Sequence, residues 1–171
     1  MNETLAEAPV TVVVVNFNGG EHLSRCLACL AAQTVAPERV IVVDNGSTDG
    51  SVEAVRAWVA ERKGLAARTI FDAVGTNIGF AAACNRAIAR SETEFIALLN
   101  PDAFPEPGWL AALITAARAY PGCAAFGSRQ MMAGSPGVLD GIGDRWHLTG
   151  LSWRDGHGRA VEPADFLARE I

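Results

Sequence analysis

The run Val12-Val13-Val14-Val15, preceded by Val10-Thr11 and followed at once by Asn16-Phe17-Asn18, constrains the fold more than any other feature of the chain. A strand with no alternation of polar and apolar positions has no solvent face, which is the pattern of a strand buried inside a parallel sheet. A second β-branched run, Val40-Ile41-Val42-Val43, ends at Asp44. Further strands are predicted at about Arg68 to Phe71, at Phe95-Ile96-Ala97-Leu98-Leu99 and at Cys123 to Gly127. Helical patterns lie between them. Leu23, Leu27 and Leu30 mark a helix from about Glu21 to Gln33. Ser47-Thr48-Asp49 supplies capping residues for a helix running to Lys63 and stopped by Gly64. Ile78-Gly79-Phe80 opens an alanine-rich helix to about Arg90, and Trp109 to Tyr120 is helical. Strands alternating with helices specify βαβ units, so the expected class is α/β: an open, mostly parallel sheet with helices on both faces.

Length and charge bound the rest. With 171 residues and 50% hydrophobic content, the chain is expected to be one domain, 1–171, with a full core. From Ser128 onward glycines crowd in around Trp146, His147 and Trp153, and residues 128–171 read as a loop or short antiparallel excursion. A net charge of -5 and a single lysine, Lys63, argue against a nucleic-acid partner and against a polybasic membrane anchor. No apolar run approaches the ~20 residues of a transmembrane segment, and the acidic N-terminus is unlike a secretory leader, so the expected location is cytoplasmic. Cys26-Leu27-Ala28-Cys29 falls in mid-helix and reads as small buried hydrophobes, with Cys84 and Cys123 as packing residues.

The polar motifs fall at strand ends. The four candidate parallel strands before residue 100 are followed by Asn16-Phe17-Asn18, Asp44-Asn45-Gly46-Ser47, Thr76-Asn77-Ile78-Gly79 and Asn100-Pro101-Asp102. One such motif makes a turn. Four in a row deliver Asn, Asp and Gly to the carboxyl edge of the sheet, where open α/β sheets bind ligands. A nucleotide is the natural ligand, yet the Walker A and GxGxxG cradles are both absent. Phosphate charge then calls for a divalent cation, with Asp102 as its hard-oxygen ligand. Asp44 is placed to accept hydrogen bonds from a base or ribose.

Taken together, Val15-Asn16-Phe17-Asn18, Val43-Asp44-Asn45-Gly46-Ser47-Thr48-Asp49-Gly50-Ser51, Asn77-Ile78-Gly79-Phe80-Ala81 through Asn85, and Leu99-Asn100-Pro101-Asp102-Ala103 resemble the family 2 glycosyltransferases, especially bacterial members of the rhamnosyltransferase type. The likeness runs in order from about Val10 to Gly127. It implies a GT-A, Rossmann-like fold, a UDP- or dTDP-linked sugar donor, a divalent metal (Mg2+ or Mn2+), and inverting transfer to a saccharide or lipid-linked acceptor, the last bringing the protein to the inner face of a membrane. Carried across, it places Val15, Asn16, Phe17 and Asn18 along the nucleotide, Asp44 and Asn45 on base and ribose, Asn77, Gly79 and Asn85 on the donor side, and Asn100 and Asp102 at the metal motif. Asn100 stands where the family has an aspartate, which leaves Asp102 as the main protein ligand. The family's general base lies beyond an acceptor loop. Asp140, Asp144, Asp155 and Asp165 are the acidic residues in that direction, and each reads better as a turn, cap or surface residue. The likeness therefore covers a donor-binding portion with the start of an acceptor-side region at 128–171. A catalytically silent nucleotide-binding module or scaffold shares these features.

Overall fold

The valine run forms the centre of the sheet. In a computed structural model, which describes residues 7–166, β1 (Glu7–Asn16) lies between β2 (Ala36–Asp44) and β4 (Phe95–Leu99), with β3 (Thr69–Ala73) outside β2. All three pairings are parallel. Val13, Val15, Ile41 and Val43 form a core cluster with Ala83, Cys84 and Ala87 of α4 (Phe80–Ile88). Val12, Val14, Val40 and Val42 point the opposite way and are equally buried, so both faces of the central strands are covered. This is why neither strand alternates in sequence.

Helix α1 (Gly20–Ala31) buries Leu23, Leu27 and Leu30 and packs against α2 (Ser51–Ala60), which buries Val52, Val55 and Val59. Each fully buried leucine stabilises the fold by about 2–3 kcal/mol. α2 is shorter than the sequence suggests: the chain breaks after Ala60 and resumes as a single turn, α3 (Lys63–Ala66). Its cap is also displaced. Gly50 occupies the N-cap position with φ 75°, and Asp49, one residue outside, accepts the Ser51 N–H. Asp72 on β3 is buried and accepts two hydrogen bonds from Arg86 of α4, at 2.7 and 2.9 Å, and lies 2.9 Å from Arg90. That ion pair fastens α4 to the outer strand.

The pairing registers set Asn16 level with Asp44 and Asp44 level with Ala73, while Val14 stands beside Leu99. All four strands thus end along one edge, and the loops that follow emerge together. The chain divides into two compact units, Met1–Ala112 and Leu113–Ile171, and this edge belongs to the first. Helix α5 (Trp109–Ala119) starts in the first unit. There Gln33, buried beyond the end of α1, donates to the Glu106 carbonyl at 2.7 Å and accepts the Leu110 N–H at 3.0 Å. A side-chain amide so placed anchors the segment between β4 and α5.

The second unit is built of β-hairpin pieces. β5 (Gln130–Met131) pairs antiparallel with β6 (Leu139–Gly141), β7 (Asp144–Trp146) with β8 (Ser152–Arg154), and Pro163–Phe166 closes as a 3-10 turn. The antiparallel excursion read from the glycines is present. The strand expected at Cys123 to Gly127 is not: these residues carry no regular structure and are exposed. A four-residue apolar run bounded by Gly122 and Gly127 satisfies the pattern of a strand, but a strand needs a partner. Cys123 is exposed with this segment, so it is no packing residue, whereas Cys26 and Cys84 are buried and Cys29 is half-buried.

Candidate functional site

The carboxyl edge of the first unit is a web of hydrogen bonds among the first three loops, with the fourth emerging beside it. Asn16, at the end of β1, is fully buried and donates from Nδ2 to Ser47 Oγ at 2.9 Å and Ser51 Oγ at 3.1 Å. Its Oδ1 is a buried acceptor with no hydrogen-bond partner. A Cβ on Gly19 would lie 2.3 Å from that oxygen and 3.6 Å from Pro101 Cβ. Only glycine lets the first loop pass between Asn16 and the turn that carries Asp102. Phe17 is half exposed, with its ring free for a flat ligand. Asn18 has φ 54°, a left-handed conformation that asparagine tolerates. It uses that geometry to bind the second loop twice, accepting the Thr48 N–H at 2.8 Å and donating its own N–H to Ser47 Oγ at 3.1 Å.

The second loop is folded on its own acids. Asp44 Oδ1 accepts the Ser47 N–H, three residues on, at 2.9 Å and so closes the turn at the end of β2. Gly46, with φ 88°, passes so close to the third loop that a Cβ would lie 2.9 Å from the Thr76 backbone. Asp49 accepts the Ser51 hydroxyl at 2.6 Å, the Ser51 N–H at 3.0 Å and the Gly20 N–H at 2.9 Å. The Ser51 bonds, with the Gly20 bond behind them, hold its carboxyl below the usual aspartate range. A carboxylate so held stays charged and joins the start of α1 to that of α2.

Asn45 is buried and turned toward the third loop. It donates to Asn77 Oδ1 at 3.0 Å and accepts the Ile78 N–H at 3.0 Å. Asn77 Oδ1 also accepts the Gly79 N–H at 2.9 Å. Gly79 itself, at φ 85° and ψ 157°, occupies a conformation reserved for glycine as the chain turns into α4. Asn85 lies on α4, exposed and off the stripe of Ala83, Cys84 and Ala87 that meets the sheet.

At the end of β4, Asn100 and Asp102 are exposed. The Asn100 carbonyl closes a turn with the Ala103 N–H at 3.1 Å and accepts the Cys26 thiol at 3.6 Å. Burial, with the nearby Cys29 and Asp102, pushes the Cys26 thiol up to about 12. It is therefore neutral and inert at physiological pH, as expected of a buried small hydrophobe. Arg25 of α1 stacks on Phe104, its guanidinium carbon 3.9 Å from the ring centroid. This brings a cation to the segment just after Asp102, although the scattered arginines of the sequence carry no motif.

The structure thus brings together Asn16, Asn18, Asp44, Asn45, Asn77 and Gly79 in one bonded web. Asn100 and Asp102 emerge beside it, and Asn85 stands apart on α4. Gly19, Gly46, Ser47, Asp49 and Ser51 do as much to shape the edge as the residues singled out from the sequence. The signal for all but Gly19 was the dense Asp-Asn-Gly-Ser-Thr-Asp-Gly-Ser run at 44–51, in which two φ-positive glycines alternate with short hydrogen-bonding side chains. No group of three or more His, Cys, Asp or Glu residues converges on a point among the described residues. The donor set at the edge, one exposed carboxylate with amide oxygens near it, fits a hard cation shared with a ligand's phosphates rather than a closed protein cage.

In the second unit, most of the acids that followed the glycine-rich stretch are engaged in structure. Asp140 pairs with Arg154 at 2.6 Å, Asp155 with Arg145 at 3.1 Å, and Asp165 with Arg159 at 2.7 Å. Asp144 is exposed and lines a cleft of about 520 Å3 with Ser128, Gln130, Trp146 and Arg154.

A parallel sheet whose carboxyl edge carries this polar web is the arrangement of an open α/β protein, and comparison with known proteins supplies the family. The model described as glycosyl transferase family 2 matches residues 11–158. The chain belongs to that family. It is 34% identical over 127 residues to the N-acetylglucosaminyl-diphospho-decaprenol L-rhamnosyltransferase of Mycobacterium tuberculosis, covering 68% of this chain and 39% of that protein. It is also 34% identical over 110 residues to the succinoglycan biosynthesis protein ExoU of Rhizobium meliloti, covering 64% and 31%. The chain thus spans about two-fifths or less of the length of these relatives. Among solved structures, it superposes on the mannosyltransferase PcManGT of Pyrobaculum calidifontis, determined with GDP-Man and Mn2+. The TM-score is 0.55 and the identity 24%, over 79% of this chain and 36% of that one. S. aureus TarS residues 1–349 in complex with UDP gives a TM-score of 0.54 at 22% identity, over 74% and 39%. These two likenesses establish the GT-A fold.

Proposed function

We propose that this chain is the donor-binding portion of an inverting glycosyltransferase that takes a UDP- or dTDP-linked sugar and transfers it to a saccharide or lipid-linked acceptor. The observation that carries the reading is the carboxyl edge: three loops tied together by their own hydrogen bonds, with Phe17, Asp44 and Asn77 at the surface and Asp102 emerging beside them. Phe17 offers a face to the base, and Asp44 and the amides beside it offer acceptors and donors to base and ribose. Asp102 would hold a divalent cation, with Asn100 beside it, while Arg25, stacked on Phe104, brings a positive charge to the segment that follows. That cation, Mg2+ or Mn2+, supplies electrophilic stabilisation of the leaving diphosphate. The web keeps its dipoles fixed while charge develops, so no reorganisation is needed as the sugar's bond to the diphosphate breaks and the bond to the acceptor oxygen forms.

The names of the relatives support the reading. One is called a rhamnosyltransferase acting on a lipid-diphosphate sugar, and the solved structures contain GDP-Man with Mn2+ or UDP. A thermal-shift panel of UDP, dTDP and GDP, each with Mn2+ or with chelator, tests the donor half. A response to UDP or dTDP that needs the metal supports it, and no response to any nucleotide overturns it.

A further inference from the structure

The β7–β8 hairpin is a finger with apolar side chains on both faces and at its tip. Every residue from Asp144 to Arg154 is exposed. In the register Asp144↔Arg154, Arg145↔Trp153 and Trp146↔Ser152, alternate pairs face opposite ways, so Trp146 stands on one face and Trp153 on the other. The turn between the strands is held rigid. The His147 N–H donates to the Leu151 carbonyl and the Gly150 N–H to the His147 carbonyl, both at 2.8 Å, and the His147 ring is hydrogen-bonded to Thr149. Gly150 supplies the left-handed φ of 84° that such a tight turn needs. Leu148 is 94% exposed and Leu151 67%, against 76% for Trp146 and 51% for Trp153. The closed turn thus holds two leucines in water.

We propose that this finger enters the interfacial layer of a phospholipid bilayer, leucines first. A protein partner is the poorer match. The four side chains offer roughly 500 Å2, split between opposite faces, where a stable interface needs about 800 Å2 on one surface. A bilayer wets both faces at once. The side chains are also graded by depth: aliphatic at the tip, indoles behind it, and Asp144, Arg145 and Arg154 at the base, the order in which acyl chains, interface and headgroups follow one another. Three-residue strands span about 10 Å, close to the ~5–10 Å depth that interfacial elements occupy. The open backbone edges of a two-stranded ribbon keep it in that layer and out of the hydrocarbon core. The arginines at the base are already paired, Arg145 with Asp155 and Arg154 with Asp140. Binding is therefore apolar in origin and does not call for anionic lipid.

The test is flotation of the 171-residue chain with pure phosphatidylcholine vesicles. Co-flotation is expected, undiminished in about 1 M salt, where the Debye length is about 3 Å. Tryptophan emission is expected to be quenched by brominated phosphatidylcholine, and the quenching to disappear in W146F/W153F. The double variant L148S/L151S, which alters only exposed side chains, is expected to lose partitioning by about tenfold or more while keeping its melting temperature and its response to nucleotide. Absence of flotation overturns the proposal, as do equal flotation of the leucine variant, loss of binding in high salt, or a leucine-dependent dimer that ignores vesicles. The nucleotide panel is a separate measurement, so failure of the finger and failure of the donor reading are distinguishable.

Discussion

Asp102 is the residue on which the electrostatics of the edge turn. It is exposed at the end of β4 and takes no part in the core. Asp102→Asn is therefore expected to keep the melting temperature of the unliganded protein within about 0.5 kcal/mol of stability and to abolish the metal-dependent part of nucleotide binding, as read by calorimetry with and without Mn2+. A large loss of unliganded stability would show that its role is structural. The glycines behave the opposite way. Gly46→Ala places a Cβ against the Thr76 backbone at 2.9 Å in a left-handed conformation, and neither backbone can retreat without breaking the web. It is expected to cost about 2–3 kcal/mol, with nucleotide affinity falling too, measured by chemical denaturation and titration. Gly19→Ala meets the Asn16 side chain instead; because Ser47 and Ser51 hold that amide, a loss of about 1–3 kcal/mol is expected there as well.

Among the elements, α4 depends most on a single charged contact. Arg86, then Arg90, holds the Asp72 carboxyl below the usual aspartate range against the opposing effect of burial. A carboxyl whose folded value lies below its unfolded value of about 3.9 contributes stability that is complete above that unfolded value. The contribution is lost as pH falls through the folded value. Asp72→Asn is expected to destabilise the protein by about 1–2 kcal/mol near neutrality, since both arginines are half exposed and partly screened. The gap from wild type should close as the medium is acidified below about pH 4, a trend that urea melts across pH will show. α1 and α2, by contrast, are held by aliphatic packing and joined at their starts by Asp49. Leu27→Ala is expected to cost about 2–5 kcal/mol at any pH.

At the scale of the whole molecule, ligand and fold are linked. A nucleoside diphosphate with its cation, present at 100 times its dissociation constant, stabilises the state that binds it by about 2.7 kcal/mol. That corresponds to a rise of roughly 5–10 °C in melting temperature for a chain of this size. Hydrogen exchange should locate the effect in residues 16–20, 44–51, 76–79 and 100–103, leaving the hairpin at 144–154 unchanged. The acids of the second unit divide in a checkable way. Asp140→Asn and Asp165→Asn remove partners of Arg154 and Arg159 and are expected to lower stability, while Asp144→Asn leaves it unaltered.

The apolar runs settled the α/β class and the four parallel strands of this protein because a strand covered on both faces has no choice of residue type, and that demand is written at every position. The strand-end motifs marked the edge where the loops meet for a similar reason: short polar side chains and left-handed glycines are needed wherever chains turn sharply. Which of those side chains stay exposed and which hold the loops together was decided only in three dimensions. Asn16 and Asn45 look like Asn18 and Asn77 in sequence, yet the register of β1 against β2 buries the first two. The strand expected at Cys123–Gly127 did not form because pairing requires a partner that no local pattern reports. The breadth of the exposed finger at Trp146 and Trp153 was equally invisible, since alternation across a hairpin places residues on opposite faces only once the register of β7 against β8 is set.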